Sequence, residues 1–266
     1  MSNTAGGYTA ALDPRYGSGC YRRTIVLRQS GPSRVEAAVE DDPHAFAITL
    51  EHDGERVTAV SAEAHRYPLT TCNGATAALQ SVVGAPLSES IVELKRHADA
   101  RRNCTHLFDL AALAIAHVFR AARECVYRIE IPDEIDGLTE ARLDRDNGRV
   151  LTWSLRHGVI TEPARYAGQR VLGGFTSWAV ANLAGEELEF ALVLQRGYFV
   201  ALSRIYDMQT VSMGPASEDP MPSGICFSYS PGQAEHAWRV PGSRRDFSDT
   251  PEQMLRWYTP PGAGSS

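Results

Sequence analysis

Alternation of apolar and polar residues on both sides of a short break is the feature that most narrows the fold. It runs through HAFAITLEHDGERVTAVSAEAHR, from His44 to Arg66. A period of two places successive side chains on opposite faces of a strand, and Asp53–Gly54 supplies hairpin turn chemistry. The pattern starts earlier, in CYRRTIVLRQ and SRVEAAVED joined by SGP, so residues 20–66 predict an antiparallel meander of three to four strands. After RYPLTTCNG the period changes. ATAALQSVVG is Ala-rich and helical up to Gly84, and LSESIVELKRHADA opens on Ser88, an N-cap residue type, with Ile91, Leu94 and Ala98 on one face. The clearest helix is CTHLFDLAALAIAHVFRAAREC, where Leu107, Leu110, Ala114 and Val118 recur at spacings of three and four, and Asn103 or Thr105 is placed to cap its start.

A second strand-rich portion follows. CVYRIEIPDE and LTEARLDRDNGRVLTWSLRHGVI predict three strands with a hairpin at Asn147–Gly148, and TSWAVANLAGEELEFALVLQRGYFVALSRIYD predicts two helices parted near Gly185. Sheet plus helices, twice over, is α+β. The expected organisation is a loose arm over 1–19, an α+β domain over 20–124, and a second α+β portion over 125–266 with a loop-rich tail from about 213; the two portions are also readable as one continuous domain.

Composition closes off several classes. Hydrophobic residues are 43% and charged residues 22% of 266, which suffices for a sizeable core. The net charge of −6 and the absence of a Lys/Arg stripe argue against nucleic acid. No apolar run reaches the ~20 residues of a membrane helix, and no basic-then-apolar leader opens the chain. Five cysteines, at 20, 72, 104, 125 and 226, are odd in number and widely spread, which suits free thiols in a cytoplasmic setting. Dinucleotide, P-loop, HExxH and GxSxG templates are absent.

Four groups of residues carry candidate chemistry. Cys104 stands where the long helix opens, behind Arg101 and Arg102; helix N–H groups and the two cations favour a thiolate there. The competing reading is a small buried hydrophobe. Cys72 precedes a turn at Asn73–Gly74 that would expose its thiol near a second helix start. Asp41, Asp42 and His44 in EDDPHAF gather metal-capable and acid–base groups, or form a plain polar loop. His106 and Asp109 lie three apart on one helix face, so the pair could orient an imidazole or serve the helix dipole. His117, two turns on, reads as a surface or interface residue.

CYRRTIVLR, EDDPHAF, PLTTCNGA, VGAPL and CTHLFDLAALAIAH together resemble a bacterial family of unknown function with a C-T-H-L motif, over about Cys20 to Ile160. More distantly, residues 42–120 resemble the NifU/IscU-type scaffolds of iron–sulfur cluster assembly. Those have a three-stranded antiparallel sheet, a cysteine before its first strand, a second at a strand-to-helix turn and a third opening the last helix. Carried over, Cys72 and Cys104 occupy two cysteine positions; the first falls on Asp42, and an acidic position two residues on falls on His44. Asn103 precedes the third, where some scaffolds carry histidine. With only two thiolates kept, the resemblance implies zinc on Asp42, His44, Cys72 and Cys104 more readily than iron or an iron–sulfur cluster.

The expected function is a metal-dependent, zinc-using enzyme that acts on a small organic catabolic substrate by hydrolysis, hydration or lyase chemistry. Cys104, His106 and Asp109 are its catalytic candidates, and Trp153, Trp178, Phe190, Tyr198 and Phe199 are wall or core. A metal-free variant uses Cys104 as nucleophile. The alternatives are a non-enzymatic metal or iron–sulfur carrier and an accessory subunit without an ion. The expected partner is a small molecule, with neither nucleic acid nor membrane, and a homo-oligomer is allowed.

Overall fold

The strands expected in the two halves of the chain form one sheet. In the computed structural model, which describes residues 11–207, 214–219 and 221–259, the strands are β1 (Cys20–Gly31), β2 (Arg34–Asp41), β3 (Ala45–His52), β4 (Val57–Arg66), β5 (Glu124–Pro132), β6 (Leu138–Arg145), β7 (Gly148–Arg156) and β8 (Val159–Glu162). Their order is β4-β3-β2-β1-β5-β6-β7-β8, and every neighbouring pair is antiparallel. Two four-stranded meanders thus wind outward from a central seam, where β1 pairs with β5 from Cys20↔Pro132 to Arg28↔Glu124. The fold is α+β, as its alternating periods require. Sheet and core run without a break across residue 124: Leu27 and Val39 share one apolar cluster with Tyr127 and Trp153.

The helices are α1 (Ala75–Ala78), α2 (Leu94–His97), α3 (Thr105–His117), α4 (Phe175–Asn182) and α5 (Gly185–Ala201). α3 packs on β1–β3, and α5 on β5–β7 and β1. They meet where Arg196 Nε donates to Asp109 Oδ2 at 2.7 Å, so both cover the same face. Strand parity decides what lies beneath them. Tyr21, Arg23, Ile25 and Leu27 of β1 are each 3% exposed or less, whereas the residues between them are half-buried. The opposite face of the first meander is covered by the C-terminal segment: Trp257 Nε1 donates to Glu40 at 3.1 Å and its ring stacks on His65.

Several local expectations shift. The Ala-rich helix is a single turn followed by a 3-10 turn, Leu79–Val82. Ser88 caps no helix, because its segment is tied to the β3–β4 loop: Leu87 N–H is spent on the Glu55 carbonyl at 2.8 Å. In the β6–β7 hairpin, Asp146 (φ 51°) and Asn147 (φ 68°) hold the two turn positions, one residue earlier than Asn147–Gly148; the left-handed conformation at both suits Asp and Asn. His117, expected at the surface, is fully buried. Of the expected N-terminal arm, residues 1–10 lie outside the described residues; in its remainder Gly19 N–H donates to Asp133 Oδ2 at 2.9 Å. Met213, Pro220 and residues 260–266 of the expected tail also lie outside them. No helix among the described residues is long and apolar enough to cross a membrane.

Candidate functional site

The site begins where β2 ends. Val35, Ala37 and Val39 of β2 are buried toward the helices, and the same parity turns Asp41 inward. Asp41 then closes a tight turn: its N–H donates to the His44 carbonyl at 2.9 Å, and its Oδ1 accepts from His44 N–H at 2.9 Å. The Asp41 carboxylate is wholly buried. Oδ1 pairs with His44 Nδ1 at 2.9 Å, while Oδ2 accepts from Tyr21 OH at 2.9 Å and Arg23 Nη1 at 2.6 Å. Burial alone would raise its pKa, but His44 and Arg23 hold it well below the usual carboxylate range.

α3 brings the third member. His106, in its first turn, lays its ring against His44 with centroids 3.7 Å apart and planes at 32°. Burial, with His44 and Arg23 adding to it, depresses the His106 pKa well below the ordinary value, so the ring is neutral, the form that ligates metals. His106 Nε2 is buried with no hydrogen-bond partner among the described residues. Asp41, His44 and His106 each offer a ligand atom, all within 4.8 Å of one another, and they are the group of three or more metal-capable side chains found among the described residues.

Asp42, expected as the ligand, faces away. Its Oδ2 accepts from Arg204 Nη1 at 2.7 Å, within a network in which Arg204 Nε also donates to Asp133 Oδ1 at 2.7 Å. Neighbouring residues of an extended segment point to opposite sides, so Asp41 and not Asp42 is the carboxylate beside His44. Counting parity from Val35 onward would have found it.

Cys104 is the N-cap residue of α3, with no side-chain capping bond. Its Sγ lies 3.8 Å from His106 Nδ1. The expectation of an acidic thiol is reversed: burial dominates and pushes its pKa well up, and the thiols of Cys72 and Cys226 are close enough to oppose its ionisation further. Arg101 and Arg102 are exposed and do not offset this. Cys72 is not exposed by its turn. It is buried within the 3-10 turn Thr70–Gly74, its Sγ is 3.2 Å from Ser228 Oγ, and burial pushes its pKa up to about 11. The tail segment carrying Cys226, Phe227 and Ser228 thus lies against both predicted cysteines, a convergence that sequence spacing does not reveal. Neither thiol joins the three-residue group. Asp109 makes no hydrogen bond to His106; it pairs with Arg196.

Beside the Asp41–His44–His106 group lies a cavity of about 50 Å³ between α3, α5 and β1. Ile25, Phe108, Leu113 and Leu192 give it apolar walls, and Arg23, Lys95, Asp109 and Arg196 line it with charge. Arg23 belongs to both features, since it also binds Asp41.

The family described as "Protein of unknown function (DUF2889)" matches residues 24–119. That stretch includes Asp41, His44, Cys72, Cys104 and His106. No curated protein and no solved structure matches the chain.

Proposed function

We propose that the protein is a metal-dependent enzyme whose ion, zinc by its ligand set, sits on Asp41, His44 and His106, and that it hydrolyses, hydrates or eliminates from a small organic substrate. The observation that carries this reading is the buried, unpartnered Nε2 of a neutral His106 beside the Asp41–His44 pair. An orphaned buried polar atom costs about 1–3 kcal/mol, and a metal bond would satisfy it. Two imidazoles and one carboxylate leave a fourth position for water or substrate, where zinc supplies Lewis-acid polarisation or an acidic water. Tyr21 and Arg23 would hold the carboxylate in place through Oδ2, as outer partners of metal ligands do.

A metal-free reading keeps Cys104 as a nucleophile with His106 at 3.8 Å. Burial that keeps this thiol protonated weighs against it. Iron remains the alternative occupant, since two histidines and a carboxylate also serve non-haem iron.

The test is elemental analysis of native protein beside His106→Phe, Asp41→Asn, Cys72→Ser and Cys104→Ser. The proposal expects close to one equivalent of zinc in the native protein and both serine variants, and little in the other two. Metal retained in His106→Phe, or native protein that takes up none when offered zinc, would refute it.

A further inference from the structure

Resting on that reading of the site, we infer that the cavity between α3 and α5 binds the substrate, and that the substrate is a small monocarboxylate with an apolar body. Three observations converge. The walls are aliphatic and aromatic: Ile25, Phe108, Leu113 and Leu192. The charges lining the cavity are predominantly cationic, with Arg23, Lys95 and Arg196 against the single acid Asp109. Arg23, 2% exposed, keeps its Nε–H buried without a partner among the described residues, while its Nη1 is spent on Asp41.

A buried guanidinium with a spare N–H is a carboxylate acceptor's partner, because charge-assisted bonds are roughly twice as strong as neutral ones and Arg offers them in a planar fork. The electrostatics point the same way. A divalent ion on the Asp41 carboxylate and the two imidazoles, with Arg23 alongside, would leave net positive charge that an anionic ligand would balance. A neutral ligand of the same shape would leave that charge and the Arg23 donor unanswered, and sites with buried polar groups reject such analogues strongly. The cavity of about 50 Å³ is well below the ~150 Å³ that takes a benzene ring, so the class is a two- or three-carbon acid rather than a ring or a long chain.

The test measures equilibrium binding by calorimetry to the native protein, once stripped of metal with a chelator and once supplied with zinc. The probes are acetate and propionate, with propionamide as the neutral counterpart of propionate. At least one carboxylate should bind, propionamide should bind at least tenfold more weakly than propionate, and Arg196→Gln and Lys95→Gln should each weaken propionate by about fivefold to tenfold. Ala112→Val, which fills much of the cavity from α3 without touching a charge, should abolish binding in a protein that still folds. Equal affinity for propionate and propionamide, binding that survives Ala112→Val, or no binding by either carboxylate with or without zinc would overturn the assignment. Carboxylate binding by the metal-stripped protein, alongside a negative elemental analysis, would keep this inference and reject the metal.

Discussion

The backbone N–H of Phe227 donates to the carbonyl of Asn103 across 3.0 Å. This bond fixes the loop-rich tail to the residue just before Cys104, and the Phe227 ring closes over Gly74, where even a methyl group would sit 3.3 Å from it. The thiols beneath should therefore be slow. Native protein at pH 7.5 should react sluggishly with Ellman's reagent at all five cysteines, every one of which burial drives toward the neutral thiol. Phe227→Ala should speed the reaction of Cys72 and cost about 2 kcal/mol, less than the 3–5 typical of a fully buried phenylalanine. Unchanged thiol kinetics would mean that the tail does not shield this region.

Metal should appear as stability. Zinc at a hundredfold over its dissociation constant adds about 2.7 kcal/mol to a protein that binds it only when folded. Calorimetric scans should show a zinc-dependent rise in Tm for the native protein and none for His106→Phe. In the absence of metal that variant should melt no lower than the native protein, since it removes an orphaned polar atom from the core.

Glu189 is buried on α5 and accepts from Arg120 Nη2 at 2.6 Å and from Tyr127 OH. Burial works against charge on Arg120, but Glu189 and Tyr127 raise its pKa well above the ordinary value. Glu189→Ala leaves the guanidinium without its counter-charge and should cost about 3 kcal/mol in urea unfolding. Glu189→Gln, which keeps hydrogen-bonding capacity, should cost less. Equal losses would place the value of this residue in its packing.

His117 Nε2 lies 3.2 Å from the Arg123 carbonyl. Burial, aided by Arg120, lowers its pKa. The unfolded chain takes up this proton as pH falls through about 6.5, whereas the folded chain resists it. The contribution of His117 to stability is therefore present above that pH and is lost below it. Between pH 7.5 and 5.5 the urea midpoint of the native protein should fall further than that of His117→Gln; parallel falls would contradict the assignment.

Gly197 on α5 lies against β5, where a Cβ would come within 2.9 Å of Ile129 Cδ1 and 3.0 Å of its Cγ2. Gly197→Ala should lower stability by about 1–3 kcal/mol through overpacking, even though alanine is the better helix former by about 1 kcal/mol. Adding Ile129→Val should recover part of the loss. A stabilised single variant would show that α5 can move off the sheet freely.

Much of this was legible in the residues. Alternation in β1 and β5 identified those strands because each has one buried and one wetter face; β2 and α3 are buried nearly all round, and their periods are weaker guides. His44 and His106, both candidates in the sequence, lie ring against ring in the structure. Asp42 was named where parity from Val35 gives Asp41. The acidity of Cys104 was misjudged because burial, a tertiary quantity, outweighs the helix start. Arg23, Arg196 and Cys226 carried no local signal: each gains its place only when α5 and the tail pack against the first meander.

The seam between β1 and β5 has a kinetic consequence. Within each meander a strand finds its partner across a tight turn, at little cost in loop entropy. The central ladder instead joins positions as far apart in sequence as Arg28 and Glu124 or Cys20 and Pro132, and β1 must leave one side open until β5 arrives. Non-local pairing of this kind slows folding, and an unpaired strand edge invites pairing with another molecule. Synthesis exposes that edge for as long as α1–α3 are still being made.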